Sequence, residues 1–402
     1  MKVFLLFVGC LLGYYSLSAA DKDYETIIEN KVTGEKIRMI SNIPATPVRN
    51  QYKTSTCWSF SGLSLIESEL LRTGKGAFDL SEMFIVRYNY ERKADRFVRM
   101  HGKANFAPGG ETNDVTDVIN NYGIVPEDAY TGLQIKTDQL AHTEMDKVLL
   151  KYVDALVSNT DKEISTVWKE GFDKVLDSYL GEIPDHFEYN DTTYTPEGFA
   201  EYLGIDPSDY IMITSFTHKP YYEPFILEIP DNWSWAQTYN VPLEILEEIV
   251  DSALLNGYSV AWAADVTEVG FNFKEGMALA PKILYDPDTE KERTKWLKMS
   301  EDDRAETIFD MNHPAEELTV TPEVRQTAFD NFSTTDDHGM HITGLAQDKS
   351  GRYFYYVKNS WGNENPYNGY MFISKPYFRY KTISVMLNRD ALPKQVILDL
   401  SL

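Results

Sequence analysis

The sequence predicts an α+β protein built of a helical lobe and a β-rich lobe with a cleft between them. Three observations carry this. Residues 57 to 121 place apolar side chains at helical spacing, and residues beyond about 205 form short aromatic and β-branched runs, most of them bounded by turn residues. Between the two lies a charge-rich segment, 133–205, whose apolar residues recur every three or four positions. Helices first and strands second, within one chain, is the pattern of segregated layers.

The elements follow in order. Lys2, the apolar run Val3 to Leu17 and the small residues Ser18-Ala19-Ala20 form an export signal, with cleavage expected after Ala20 (1–20). The apolar run falls short of the ~20 residues of a spanning helix. The mature chain is therefore expected outside the cytoplasm, periplasmic or secreted, with no membrane attachment. The helical lobe (21–132) opens with an extended or looped stretch to residue 56. Cys57 to Leu71 then reads as a helix ended by Gly74, with Trp58, Leu63, Ile66 and Leu70 on its apolar side. Ser81 caps a second helix to Arg92, Pro108-Gly109-Gly110 is a tight loop, and Thr112 to Asn121 is a third helix. The insertion (133–205) predicts helices over 138–158 and 161–180. In the β-rich lobe (206–387), strands are expected at 210–216, 258–263, 341–346, 353–358 and 370–374, with 286–312 a charged surface excursion. A tail, 388–402, follows.

Composition narrows the function. With 62 acidic against 38 basic residues the net charge is −24, a field that repels phosphate backbones, so nucleic acid is excluded as a partner. The 26 Tyr, 20 Phe and 7 Trp are those of a globular protein. Of two cysteines, Cys10 falls in the cleaved segment and Cys57 is left alone. A lone thiol forms no internal disulfide, and a chain of this length needs none to hold a core. No Cys/His spacing suits a metal and no glycine loop suits a phosphate, so neither metal nor cofactor is expected.

Cys57 stands where a helix begins, and a helix N-terminus together with an imidazolium lowers a thiol pKa toward a thiolate. Among seven histidines, His338 follows the polar turn Thr334–Asp337 and leads into a strand, where it can reach a cleft; His341 is its local competitor and reads as packed or surface. Asn359 ends the next strand and can hold the second imidazole nitrogen, with Trp361 covering that bond. Thiol, imidazole and amide in this order suit nucleophilic acyl transfer.

These segments resemble the papain superfamily of cysteine peptidases. The likeness lies in Gln51 to Cys57, the Cys57-Trp-Ser-Phe run, His338 with Gly344 six residues on, and Asn359-Ser-Trp-Gly. The bleomycin hydrolase/aminopeptidase C branch is closer still, through Asp336-Asp-His-Gly-Met, Val357-Lys-Asn-Ser-Trp-Gly, the stretches 239–243 and 257–265, and the tail. The resemblance implies a two-lobed fold whose second lobe is an antiparallel, barrel-like sheet. It implies Cys57 as nucleophile, His338 as general base, Asn359 as its orienting group and Gln51 as an oxyanion donor. Gly109 and Gly110 would lay a peptide substrate's backbone beside the nucleophile. The tail would enter the cleft and present the Leu402 carboxylate to a substrate's amino group, making an aminopeptidase, and the chain would assemble as hexamers. Thr54 stands where secreted papain-like enzymes carry a disulfide partner. The alternatives are a papain-like endopeptidase, a transglutaminase-like acyltransferase (which usually orients its base with an aspartate) and an inactive peptide-binding homologue.

Overall fold

The computed structural model describes residues 26–31, 36–134, 139–160, 163–285, 290–309 and 315–402; the export signal lies outside them. The helix Cys57–Arg72 is the axis of the molecule, and every residue from Trp58 to Leu70 is buried. Burial all round is why its apolar and small residues do not keep to one stripe. Each fully buried Leu or Ile on it is worth ~1.5–3 kcal/mol. On one side it packs against helices Glu82–Arg99 and Asn113–Tyr122, and on the other against strands His338–Gln347 and Val260–Ala264.

The insertion shares the helical core. Its helices Thr143–Val157 and Trp168–Leu180 send Leu149, Val153, Phe172 and Leu176 into one cluster with Trp58, Leu63, Phe84 and Val115. The charged excursion holds two helices, Glu290–Leu297 and Glu301–Phe309, which bury Trp296 and Ile308 beside Phe354.

The β half is one open sheet, not a barrel. In space its strands run 224–226, 237–240, 210–214, 382–388, 260–264, 338–347, 353–358, 370–374, 277–278 and 271–272, and the path does not close. Most pairs are antiparallel; 210–214 with 237–240, and 277–278 with 370–374, are parallel. Strand His338–Gln347 pairs along its first half with 260–264, along its second half with Lys36–Asn42, and from His341 onward with 353–358. Nine of its ten residues are buried, because the Cys57 helix covers one face and helix Leu243–Leu255 packs on the other. A strand buried on both faces has no polar alternation to read.

The tail corrects the expectation that it enters the cleft. Asn388 Nδ2 donates to Glu69 Oε2 at 3.3 Å, ~18 Å along the helix axis from Cys57 at 1.5 Å per residue. From there Ala391, Leu392, Val396 and Leu400 bury in the core that holds Leu246 and Ile249, and Leu402 closes a turn on the Ile397 carbonyl at 3.1 Å. Four apolar anchors hold the tail to the sheet.

Gly339 sets how closely strand and helix approach. A Cβ there would stand 2.7 Å from Ser61 Oγ and 3.2 Å from the Trp58 backbone nitrogen. Gly339→Ala is expected to push the strand off the helix and cost about 1–3 kcal/mol, read as a fall in thermal midpoint; an unchanged midpoint would mean that the contact yields freely.

Candidate active site

The loop before the nucleophile is held in a costly conformation. Tyr52 and Ser55 take positive φ of 48° and 54°, a region that non-glycine residues occupy at a cost of order 1 kcal/mol or more each. Hydrogen bonds offset this. Thr54 Oγ1 donates to the Gln51 carbonyl at 2.9 Å and lies 2.7 Å from Thr56 Oγ1. The Gln51 amide donates to the Ser360 carbonyl at 2.8 Å, and Ser360 Oγ donates to Gln51 Oε1 at 2.6 Å. With its oxygen tied back, Gln51 turns its NH₂ the other way. Thr56 gives no side-chain cap to the helix that Cys57 begins, so no side chain competes for the first-turn N–H groups.

His338 is the first residue of its strand, three positions earlier than the sequence pattern suggests. Its Nε2 lies 2.7 Å from Asn359 Oδ1. The Ser360 amide also donates to that oxygen at 2.7 Å, while Asn359 Nδ2 points at the Met371 sulfur 3.7 Å away. An oxygen receiving a backbone N–H is an acceptor, so His338 carries its proton on Nε2 and leaves the Nδ1 lone pair open. Trp361 stacks on the imidazole with centroids 4.5 Å apart and 29° between planes, backed by Phe271 and Phe273.

Gly339, the residue after His338, lies against the first turn of the Cys57 helix, where an added Cβ would stand 3.2 Å from the Trp58 backbone nitrogen. Burial pushes the thiol up to about 12, against the pull of the Gly339 and Trp58 amides, and Asp336 and Asp231 push the same way through space. Burial drives His338 down to about 4, opposed by the Asn359 bond and Asp337. The helix terminus was expected to yield a thiolate beside an imidazolium. Desolvation works against it at both groups, toward the thiol and the neutral imidazole. His341 is a packed residue, with Nδ1 2.9 Å from Ser64 Oγ.

The glycine loop is clamped from below. Trp58 Nε1 donates to the Pro108 carbonyl at 3.0 Å, and buried Lys93 donates to the carbonyls of Ala107, at 2.9 Å, and Gly109. A Cβ on Gly110 would meet Asp114 Oδ2 at 2.7 Å and the Trp58 ring at 3.1 Å, so the position admits only glycine. Thus Cys57, His338, Asn359, Gln51, Trp361, Gly109 and Gly110 lie around one helix end, while Leu402 is committed elsewhere. Reading the sequence missed Lys93, Ser360 and the acids Glu111, Asp231 and Asp336. Of these Ser360, Glu111 and Asp336, within or beside the segments of Asn359, Gly110 and His338, had a positional signal.

A helix-borne thiol meeting a strand-borne histidine between two lobes is the architecture of a papain-like cysteine peptidase. The Peptidase C1-like family profile matches residues 16–288 and 298–401, and the chain belongs to that family. It is similar to aminopeptidase C of Lactobacillus delbrueckii subsp. lactis, 24% identical over 405 residues that cover 87% of this chain and 81% of that one. Aminopeptidase G of the same organism is 25% identical over 423 residues, covering 92% and 87%. PepW from Lactobacillus rhamnosis HN001 shares the fold, with a TM-score of 0.66 at 19% identity over 90% of this chain and 84% of that one. The chain is a cysteine-type peptidase of the bleomycin hydrolase/aminopeptidase C branch.

Trp361→Ala is expected to admit water to the imidazole and move the His338 titration from about 4 toward its ordinary ~6.5. Imidazole proton NMR against pH reads this, and an unmoved titration would mean that Trp361 does not seal the site.

Proposed function

We propose that the protein is an exported aminopeptidase that hydrolyses peptide bonds through an acyl-enzyme on Cys57. The observation that carries the reading is a strand that packs against the Cys57 helix end at Gly339 and opens with an imidazole whose Nε2 is held by Asn359 at 2.7 Å. Nδ1 is then the one nitrogen left to take the thiol proton.

The reaction balances as follows. The Cys57 proton passes to His338 Nδ1 as the sulfur attacks the scissile carbonyl carbon. The tetrahedral oxyanion is held by the Gln51 Nε2–H and the Cys57 backbone N–H. The C–N bond breaks as His338 returns the proton to the leaving amine, which leaves a thioester. Water then gives a proton to His338 and attacks; the C–S bond breaks, the acid leaves, and the proton returns to sulfur. Asn359 keeps the ring in register, and Gly109–Gly110 receives the substrate's backbone. A resting neutral pair asks the substrate to trigger proton transfer.

The aminopeptidase preference rests on the curated relatives' names, and export on residues 2–20. The docking of the tail on the sheet core favours a second reading, a papain-like endopeptidase with an open cleft, and one comparison separates the two. Free-amine peptides are expected to be cut much faster than their acetylated counterparts; equal rates would leave the endopeptidase.

Cys57→Ala is expected to abolish hydrolysis, and retained activity would defeat the assignment. Gln51→Ala should lower kcat by roughly 10²–10³, the usual loss for one oxyanion donor. Because the base works as neutral imidazole, kcat/KM should fall on acidification through about 4 and not near ~6.5.

A further inference from the structure

The tail's absence from the cleft leaves an exopeptidase without its expected carboxylate, and a different one stands beside the nucleophile. The loop Pro230–Ala236 joins strands 224–226 and 237–240 and reaches across to the helical lobe. Its geometry is fixed. Asn105 Nδ2 donates to the Pro230 carbonyl at 2.9 Å, Arg96 Nη1 to the Trp233 carbonyl at 2.8 Å, and Trp233 Nε1 to Asp114 Oδ2 at 2.7 Å. Asn232 closes the loop on itself, with Nδ2 on the Leu227 and Ala236 carbonyls at 3.0 and 3.1 Å. Such a loop can hold Asp231 in place without a bond of its own.

Asp231 lies directly against Gly109, where an added Cβ would overlap the carboxylate. Among the described residues, no hydrogen bond or ion pair reaches that carboxylate. Lys93 is the near cation, but its ammonium is taken up by the Ala107 and Gly109 carbonyls. Behind Asp231 stands a second acidic feature. Glu111 is only 3% exposed; its Oε2 accepts from Ser384 Oγ at 2.8 Å. Its Oε1 is buried with no donor among the described residues, as is Oδ2 of Asp336, the carboxyl that it adjoins. Two buried acceptor oxygens facing each other without a donor call for a cation or a shared proton. No described group of side chains could hold a metal ion.

We propose that Asp231, backed by the Glu111–Asp336 pair, binds the α-ammonium of a peptide substrate and sets the exopeptidase preference. This rests on the aminopeptidase reading above. The placement selects an α-ammonium over a basic side chain. A peptide continuing past this point along Gly109 collides with the Asp231 carboxylate, whereas one ending there in an ammonium meets an unpaired anion. Asp231 and Asp336 also act through space on Cys57, so the bound cation lies within electrostatic reach of the sulfur.

The test compares free-amine, Nα-acetylated and Nα-acetyl-lysyl dipeptide amides on wild type, Asp231→Asn and Asp231→Glu, with circular dichroism to confirm folding. Asp231→Asn is expected to raise KM for free-amine substrates tenfold or more, hold kcat within a few-fold and cause no rise in KM for acetylated substrates; Asp231→Glu should recover part of the loss. Calorimetry on Cys57→Ala gives a second readout, in which Ala-Ala amide should bind more tightly than acetyl-Ala-Ala amide, and Asp231→Asn should erase the difference. If wild type prefers free amines and Asp231→Asn keeps that preference in full, the inference is overturned and the aminopeptidase reading stands. A loss confined to acetyl-lysyl substrates also overturns it, since the pocket would then take a side chain. Equal cleavage of free and acetylated peptides by wild type sinks the underlying reading itself.

Discussion

The close approach of one strand to one helix end is the constraint on which the site depends. At Gly339 the backbone of His338–Gln347 comes near enough to Ser61 and Trp58, on the first turn of the Cys57 helix, that a methyl group would not fit. Because His338 is the residue before, the contact that brings the lobes together also sets the histidine at the helix end that carries Cys57. The rest braces it. Ser360 ties the Gln51 loop to the Asn359 strand, and Trp58 and Lys93 tie the glycine loop to the helical lobe. Shifting the strand would disturb the nucleophile, the base and the oxyanion donor together.

Burial is the second theme, and it acts on charge. The site lies between two packed cores, so desolvation favours the neutral form of Cys57 and His338 alike. Nearby carboxyls deepen the effect on the thiol. Glu111 is itself raised to about 7 by burial.

Cys57, His338 and Asn359, the trio proposed to act together, were legible because each carries local punctuation: a thiol opening an apolar helix, a histidine after a polar turn, and an asparagine ending a strand. What escaped the sequence depends on contacts far along the chain. The helix expected to stop at Arg92 runs to Arg99, since Lys93 and Phe97 are buried by tertiary neighbours that no local pattern reveals. Helices Leu243–Leu255, Pro322–Asp330 and Lys375–Lys381 went unread in a lobe judged β-rich. The barrel-like expectation failed because His338–Gln347 shares its length among three neighbours in an open sheet. The tail's path was invisible because its apolar residues suit a cleft or a core equally well until the core is known. Asp231 sits in a hairpin loop more than a hundred residues from either partner motif, and only folding places it on Gly109.

Covalent capture on Cys57 tests the central claim most directly. Mass spectrometry of the protein quenched during turnover of a slow ester substrate should find the acyl group on the peptide containing residue 57, and no such adduct in His338→Ala. Turnover with that peptide unmodified, or an adduct on another residue, would contradict the account.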